Sequence, residues 1–448
     1  MDLSVGLYNV LADGLALGEF ATYEGDAELV WVSRGPKVVE VIVAMLERYD
    51  VVVTVENDHF FSILDQLREI TGSDVHGVFG RKRQAGNCDS TCRKLMKARV
   101  DISGAKSLRE ETVPPFLDYY FSGAGDGTEP VGEGAESAST AYLSDDGVGI
   151  YFKSDKVLRH ECVLLPGQTI LPGGALADPI VLDIDAGAAS VAVVFSTSSG
   201  GGKFLVVGSH LPSGEGMKQE EERREVAEMT LKAVLDMGYG HLPIVWGMDS
   251  NTSQVYVDNM VSQGHLLARE RSLVRFLEHS GFTSYIPECG GPHFKCFKMR
   301  HARGNQVNKF CTFMYVCIDK VLLRLPPEGN VRVTRAEAES LTEKLCGLSA
   351  ADESALLKLR DEDAGALRSL FFGVPESEEV PYFPKEHDVS AVVSAYPFAW
   401  GDRIKERLTD LPSETASRFS ILAKLFPSSG MPSDHPAVGV FFSLSPAS

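Results

Sequence analysis

The chain has 448 residues, of which 44% are hydrophobic, and this suits a globular protein with one large domain or two smaller ones. Asp and Glu outnumber Lys and Arg by 62 to 43, and the resulting formal net charge of -19 disfavours nucleic-acid binding over the whole surface. Any site for phosphate groups must therefore be local.

The sequence also indicates the cellular compartment in which the protein is expected. No apolar run approaches the roughly 18 to 20 residues of a membrane span, and the opening MDLSVGLYNVLADG lacks the features of a signal peptide. The eight cysteines are therefore expected to be thiols. Cys88 and Cys92 lack a second pair at zinc-finger spacing. We expect an intracellular, cytoplasmic protein that has no membrane contact.

In chain order, apolar runs rich in β-branched residues predict strands, and amphipathic patterns predict helices. The predicted strands are LSVGLYNVL, VVVTVE, GVGIYFK, ASVAVVF, FLVVGSHL, LPIVWGMD, FMYVCIDKVLL and AVGVFF. The predicted helices are GPKVVEVIVAMLERY, HFFSILDQLREI, KQEEERREVAEMTLKAVLDMG and RSLVRFLEHSG. Strands and helices mix without strict alternation, which favours a layered α/β or α+β architecture over a TIM barrel.

Two segments interrupt this frame. Residues 123–140 are rich in glycine and acidic residues, and their composition predicts a mobile loop. Residues 334–372 begin with the capping-box pattern of Thr334 and Glu337, and they predict helices within an insertion at about 324–430. We therefore expect a single domain, 1–448, with these two additions.

Polar residues occur at the ends of the predicted strands, and one more, Asp319, lies within the run FMYVCIDKVLL. The set comprises Asn9, Glu56, His210, Asp249, Asn251, Asp319, Asp434 and His435. A buried carboxylate is costly unless it is paired, hydrogen-bonded or bound to a metal. A cap or turn contact could explain each residue alone, but their shared position favours one oxygen-rich site. Oxygen ligands suit Mg²⁺ or Mn²⁺, and this chemistry is typical of phosphoryl transfer.

Several motifs carry a family resemblance across nearly the whole chain: YNVLADG, TVENDHFF, GVGIYFK, GSHL, FKMR, GMDSN, CIDKVLL and PSDHP. They resemble the motifs of the endonuclease/exonuclease/phosphatase superfamily, which has a deoxyribonuclease I-like fold. Within it, YNVLAD, ENDHFF and FKMR are most similar to the deadenylase and nocturnin clade. The resemblance implies a four-layer α/β sandwich of two packed, mainly antiparallel sheets flanked by helices.

The resemblance also implies roles for the polar set. Glu56 resembles the principal metal ligand, with Asn9 and Asp434 in the metal region. Asp249 resembles the aspartate that deprotonates the attacking water, and His435 the histidine that stabilises the transition state, oriented by Asp319. The two remaining residues, Asn251 and His210, resemble phosphate contacts. Val55, Met248 and Lys320 depart from the usual neighbours of these residues.

Two basic clusters could bind substrate. One is residues 81–100, with Arg81 and Arg83, and the other contains Lys298 and Arg300. A solvated basic face is an equal alternative for both. Next to a metal site they would suit single-stranded RNA or a dinucleotide.

Three functional hypotheses therefore stay open. The first is a Mg²⁺-dependent phosphodiesterase, specifically a 3′–5′ exoribonuclease of deadenylase type. The second is a nocturnin-like phosphatase acting on NADP(H) or another small phosphorylated nucleotide. The third is a catalytically inactive binding module.

Overall fold

The structure is a computed structural model. It describes residues 1–12, 16, 31–72, 74–82, 147–170, 178–184, 189–198, 200, 202–214, 216–288, 292–301, 311–342, 349–362, 405–406, 408–424, 426–428 and 430–447.

The strands of the described residues follow the chain from one end to the other. They are β1 (Asp2–Asn9), β2 (Val51–Val55), β3 (Val75–Lys82), β4 (Gly147–Lys153), β5 (Val157–Val163), β6 (Gln168–Ile170), β7 (Ile180–Ile184), β8 (Ala189–Thr197), β9 (Lys203–His210), β10 (Ile244–Asp249), β11 (Phe282–Ser284), β12 (Cys296–His301), β13 (Cys311–Val316), β14 (Asp319–Arg324), β15 (Val331–Ser340) and β16 (Val438–Pro446).

The α-helices of the same residues are α1 (Trp31–Arg48), α2 (Phe60–Thr71), α3 (Met217–Asp236), α4 (Gln254–Ser262), α5 (Ala268–Arg271), α6 (Leu273–His279), α7 (Ala350–Glu362) and α8 (Ser413–Phe419). Short 3-10 turns lie at Tyr239–His241, Pro292–Phe294 and Ser420–Lys424. No helix in the described part of the chain is both long and apolar enough to cross a membrane.

Two sheets form the centre of the described structure. The larger has the order β15-β16-β1-β2-β4-β3-β7-β6, and the smaller has the order β11-β14-β10-β9-β8-β5. A separate ribbon pairs β12 with β13. Parallel pairing is limited, among the described strands, to β1 with β2, β3 with β7 and β9 with β10, so both sheets are mainly antiparallel.

Helices cover the outer face of each sheet, and this gives four layers. The two inner faces share an apolar core that contains Val5, Val53, Val206 and Val245. Helices α1, α2 and α7 pack on the outer face of the larger sheet, and α3 and α6 pack on that of the smaller sheet. The predicted four-layer α/β sandwich is confirmed. Helices lie on the outer faces because strands with buried residues on both faces require cover on both sides.

The predicted strands and the four predicted helices are confirmed as elements, with two corrections. The run FMYVCIDKVLL forms two strands, β13 and β14, because the chain turns at Cys317 and Ile318. The predicted helix beginning at Thr334 is wrong, since Val331–Ser340 is strand β15, paired with β16.

The helical part of the predicted 324–430 insertion appears later, as α7 and α8. The predicted mobile loop at 123–140 lies outside the described residues, and the single-domain assignment stays a prediction.

Candidate active site

Strand pairing brings polar residues to one edge of the larger sheet. β1 and β2 run parallel, with Asn9 opposite Val55, so Asn9 and Glu56 leave the sheet at the same end. β16 runs antiparallel to β1, with Val438 opposite Leu7, so the loop before β16 reaches that same end. This loop carries the Asp434 and His435 side chains to the edge where the first two strands finish.

The smaller sheet presents its own polar residues at the facing edge. Asp249 ends β10 and lies opposite His210 on the parallel strand β9 and opposite Asp319 on the antiparallel strand β14. The amide nitrogen Nδ2 of Asn9 donates to Oδ2 of Asp249 at 3.1 Å, which joins the two sheets across a buried contact. The sequence-predicted polar residues of both sheets are therefore brought together at one shared edge.

The loops at this edge have a left-handed backbone. The non-glycine residues with positive φ, among those described, are Leu11 at 61°, Glu56 at 53° and Asn251 at 49°. For Leu11 and Glu56 this conformation costs about 1 to 3 kcal/mol, whereas asparagine tolerates it better. Buried contacts stabilise these turns; for example, Nδ2 of Asn57 donates to the Tyr151 hydroxyl at 2.9 Å, just after Glu56. Local strain of this kind is typical of functional sites.

Two carboxylates and an imidazole lie at the centre of the site. Nε2 of His210 is 3.5 Å from Oε1 of Glu56 and 3.9 Å from Oδ2 of Asp249. One ligand atom of each of these three residues lies within 4.8 Å of the others, and all three residues are buried. Mg²⁺ is commonly held by one or two carboxylates together with water and substrate phosphate. The donor atoms therefore fit a small divalent cation between Glu56 and Asp249.

His435 lies on the other side of Asp249. Its ring nitrogen Nδ1 is 2.9 Å from Oδ2 of Asp319, and its Nε2 is 3.7 Å from Oδ2 of both Asp249 and Asp434. The exposed fraction of the His435 side chain is 2%, and that of Asp319 is 0%. A carboxylate that accepts the Nδ1–H bond fixes the orientation of the ring and directs Nε2 toward Asp249.

Contacts with buried backbone and side-chain groups hold the loop that carries His435. Ser433 donates its hydroxyl to the Asn9 carbonyl at 2.5 Å, and its Oγ accepts from the His435 backbone N–H at 3.2 Å. The buried Arg34 of α1 donates to the carbonyls of Val10 and Pro432 at 2.5 and 3.3 Å. Arg34 therefore ties the loop after β1 to the loop before β16.

The loop after β10 orients Asp249. The Asn251 backbone N–H donates to Oδ1 of Asp249 at 2.9 Å, and the Asn251 side chain donates to the Leu211 carbonyl at 2.9 Å. With the Asn9 contact on Oδ2, both carboxylate oxygens of Asp249 accept a hydrogen bond from a fixed donor. The carboxylate consequently has one defined orientation toward His210 and His435.

Sequence reasoning did not identify three residues that the structure places here. Arg34 and Ser433 hold the loops, and the buried Cys296 lies with Sγ 3.2 Å from Nδ1 of His435. Ser433 stands inside the PSDHP motif, so its position was a usable signal. Arg34 and Cys296 gave no local signal, because each reaches the site only through tertiary packing.

Lys320 contributes to the opposite face of β14. It is buried, forms an ion pair with Glu288 and donates to the Cys317 carbonyl at 3.0 Å. With Glu288 and Leu322 it lines a cavity of about 360 Å³ beneath α6. Because successive residues of a strand face opposite sides, Lys320 lies on the side of β14 away from the Asp319 side chain.

The predicted substrate-binding residues are described only in part. Arg81 is half-buried on β3, opposite Gly147, whose carbonyl accepts from the Asn57 backbone N–H beside Glu56. Lys298 and Arg300 lie on β12, but their side chains are outside the described part of the chain, as is the whole of Arg83. Their role in substrate binding stays a prediction.

The chain is similar to known proteins in its three-dimensional structure. No protein-family model and no curated protein matches the sequence. Among solved structures, the chain is similar to the human nocturnin catalytic domain with bound sulfate, at 14% identity over 75% of this chain and 85% of that chain, with a TM-score of 0.39.

Two further solved structures are similar. One is an endonuclease/exonuclease/phosphatase family protein from Bacteroides thetaiotaomicron, at 15% identity over 77% of this chain and 89% of that chain, with a TM-score of 0.38. The other is ANGEL2, a 2′,3′-cyclic phosphatase, at 12% identity over 99% and 95%, with a TM-score of 0.45.

Proposed function

We propose that this protein is a metal-dependent hydrolase of phosphate esters, and specifically a 3′–5′ exoribonuclease of deadenylase type. The observation that supports this most directly is the buried contact between Asp319 and Nδ1 of His435. The other ring nitrogen of His435, Nε2, faces Asp249. Beside it, Glu56 and Asp249 offer carboxylate oxygens within reach of one cation. The residues proposed as general base, donor to phosphoryl oxygens and metal ligands thus lie within one cluster.

In the proposed reaction, Asp249 acts as the general base. A water molecule gives a proton to the Asp249 carboxylate as its oxygen forms a bond to phosphorus, and the ester P–O bond on the opposite side breaks. The two hydrogen bonds from Asn9 and Asn251 keep the carboxylate in the orientation that this transfer needs. The leaving oxygen departs in line with the attacking water, takes the electron pair of the broken bond and gains a proton from solvent water.

His435 stabilises the charge that develops on the phosphoryl oxygens. Its Nε2–H donates to one of these oxygens, while Asp319 accepts from Nδ1–H and keeps the ring in place. His210 and the second amide hydrogen of Asn251 contact further phosphoryl oxygens. Each such preorganised contact typically lowers the barrier by about 3 kcal/mol, or roughly two powers of ten in rate.

Glu56 is the proposed principal ligand of Mg²⁺ or Mn²⁺, with Asn9 and Asp434 in the surrounding region. When bound, the cation would supply positive charge that stabilises the phosphoryl oxygens. The carboxylate and amide oxygens of this set match the ligand preference of these cations. Asn9 also holds Asp249, so its side chain would serve both the metal region and the base.

The proposed substrate is single-stranded RNA, and this part rests on charge. The net charge of -19 repels phosphate from the general surface, so binding of RNA must come from a local group of Lys and Arg side chains. The proposed contacts are Lys298 and Arg300 on β12, Arg81 on β3, and Arg83 from the same basic cluster of the sequence. A few such cations suit a short stretch of single strand.

The test incubates the purified protein and Mg²⁺ with four substrates in parallel: 5′-labelled oligo(A), RNA of mixed sequence, 2′,5′-linked oligoadenylate and NADP(H). Stepwise shortening of oligo(A) from its 3′ end with release of mononucleotides is the expected result. Release of inorganic phosphate from NADP(H), without RNA cleavage, would replace the exonuclease proposal with the small-nucleotide phosphatase.

Variants distinguish the activity of the proposed site from that of a contaminating nuclease. Asp249→Asn should remove the activity, whereas Asp258→Asn, which changes an aspartate on the exposed part of α4, should not. No turnover of any of the four substrates by the folded wild type would contradict the enzyme proposal and favour a binding module.

A further inference from the structure

A second cluster of ligand atoms lies beside the proposed Mg²⁺ site and differs from it in chemistry. Sγ of Cys296 is 3.2 Å from Nδ1 of His435 and 3.7 Å from Oδ2 of Asp319, and Nδ1 is 2.9 Å from that same Oδ2. One sulfur, one imidazole nitrogen and one carboxylate oxygen therefore form a closed triangle. The proposed reaction uses the nitrogen and the oxygen but gives the thiol no task.

We propose that Cys296, His435 and Asp319 form a binding site for Zn²⁺, and that zinc bound there inhibits the enzyme. The binding part stands on the geometry of the three ligand atoms. The inhibition part rests on the proposed function, because it assumes that His435 takes part in catalysis.

The spacing of the three atoms supports a tetrahedral zinc site. Zinc binds sulfur at about 2.3 Å and nitrogen or oxygen at about 2.0 to 2.2 Å, so tetrahedral ligands lie about 3.3 to 3.6 Å apart. The observed separations of 2.9, 3.2 and 3.7 Å deviate from that range by only a few tenths of an ångström. Small rotations of the side chains would bring all three atoms to bonding distance, with water as the fourth ligand.

The donor atoms favour zinc over the proposed catalytic cation. Thiolate and imidazole are the ligands that zinc prefers, whereas Mg²⁺ prefers an all-oxygen environment. The nearby carboxylates of Glu56 and Asp249 offer only oxygen atoms to a cation, so the two sites differ in selectivity.

Zinc binding changes the protonation of the cluster. The Cys296 thiol releases its proton to solvent and binds as thiolate. A neutral His435 ring that binds zinc through Nδ1 must carry its single proton on Nε2, so Nδ1 no longer donates to Asp319. The ring can then no longer become the doubly protonated imidazolium, and the cation itself occupies the space between ring and carboxylate. The ring keeps its Nε2–H, so we expect inhibition because the cation moves the ring out of its hydrogen bond with Asp319, which positions that donor.

Three separate segments deliver the ligands: the first residue of β12, the first residue of β14 and the loop before β16. Cys296 and Asp319 have no exposed surface, and 2% of His435 is exposed. Because the ligand atoms are buried, we expect zinc to reach them slowly. Inhibition should consequently deepen during preincubation.

The first experiment uses Co²⁺ as a spectroscopic probe for zinc. Wild-type protein titrated with Co²⁺ should develop a thiolate-to-cobalt charge-transfer band in the near ultraviolet, and added Zn²⁺ should abolish it. The band should be lost in Cys296→Ser and retained in Cys162→Ser, a matched change of a half-buried thiol on β5. This readout does not require activity, so it can succeed even where the proposed function fails.

The second experiment measures activity with and without Zn²⁺ as a ratio for each variant. The zinc concentration for half inhibition should rise at least tenfold in Cys296→Ser and stay unchanged in Cys162→Ser. If thermal melts show that Cys296→Ser does not fold, Cys296→Ala replaces it. In addition, X-ray absorption on the wild type with equimolar zinc must show a sulfur ligand at about 2.3 Å from the zinc. Absence of that sulfur, absence of the cobalt band in wild type, or an identical band in a folded Cys296 variant would refute the proposal.

Discussion

The coupling between Asp249 and His435 gives the sharpest test of the proposed site. Oδ2 of Asp249 and Nε2 of His435 are 3.7 Å apart, and both side chains are buried. Asp249→Asn keeps the shape of the side chain but removes its ability to accept a proton. His435→Ala removes the donor to the phosphoryl oxygens together with its charge. Both variants act on the same step, the attack of water on phosphorus.

The expected magnitudes follow from these roles. Loss of one preorganised group that serves the transition state typically costs about 2.7 to 4 kcal/mol, which corresponds to roughly two to three powers of ten in kcat. Independent effects would multiply to roughly four to six powers of ten in the double variant. Because both residues act on the same step, losing the second adds little once the first is lost. We therefore expect kcat of the double variant to be within about tenfold of kcat of the slower single variant.

The assay is a double-mutant cycle in kcat with saturating substrate, and thermal melts establish that each variant is folded. Asp258→Asn and His265→Ala, both on the exposed surface around α4, serve as matched controls and should keep wild-type kcat. Folded single variants with near-normal kcat would show that the site assignment is wrong. Fully multiplicative losses would show that the two residues serve different steps.

Further predictions concern the metal, the substrate, the loops and the core. Chelation should abolish activity and Mg²⁺ or Mn²⁺ restore it, so full turnover in excess chelator would contradict the metal proposal. Neutralising Lys298 together with Arg300 should raise KM and flatten its salt dependence more than it lowers kcat; a pure loss of kcat would indicate transition-state contact instead. Arg34→Met should lower both the melting temperature and kcat, because the two site loops lose their tie, whereas Arg48→Met on the exposed end of α1 should change neither by much. Gly208→Ala should lower the free energy of unfolding by about 1 to 3 kcal/mol in denaturant titrations, since its Cβ would lie 2.7 Å from a Val53 methyl between the sheets; unchanged stability would show that the sheets can separate there.

The sequence by itself determined the elements whose signals are local. Alternating and continuous apolar runs located β1, β2 and β10, and the polar residue that closes each of them, Asn9, Glu56 and Asp249, could be identified from its position at the strand end. Such signals survive without tertiary information because burial on both faces imposes an apolar run, and the chain leaves the core where that run stops.

The tertiary structure decided what no local signal contains. Val331–Ser340 carries a capping-box pattern, yet it forms a strand because it pairs along β16, and its charged residues suit an exposed sheet edge. The contact of Asn9 with Asp249 spans 240 positions, and that of Cys296 with His435 spans 139. Contacts of this kind depend on sheet order and strand register, which are set by packing of the whole core rather than by neighbours in the sequence.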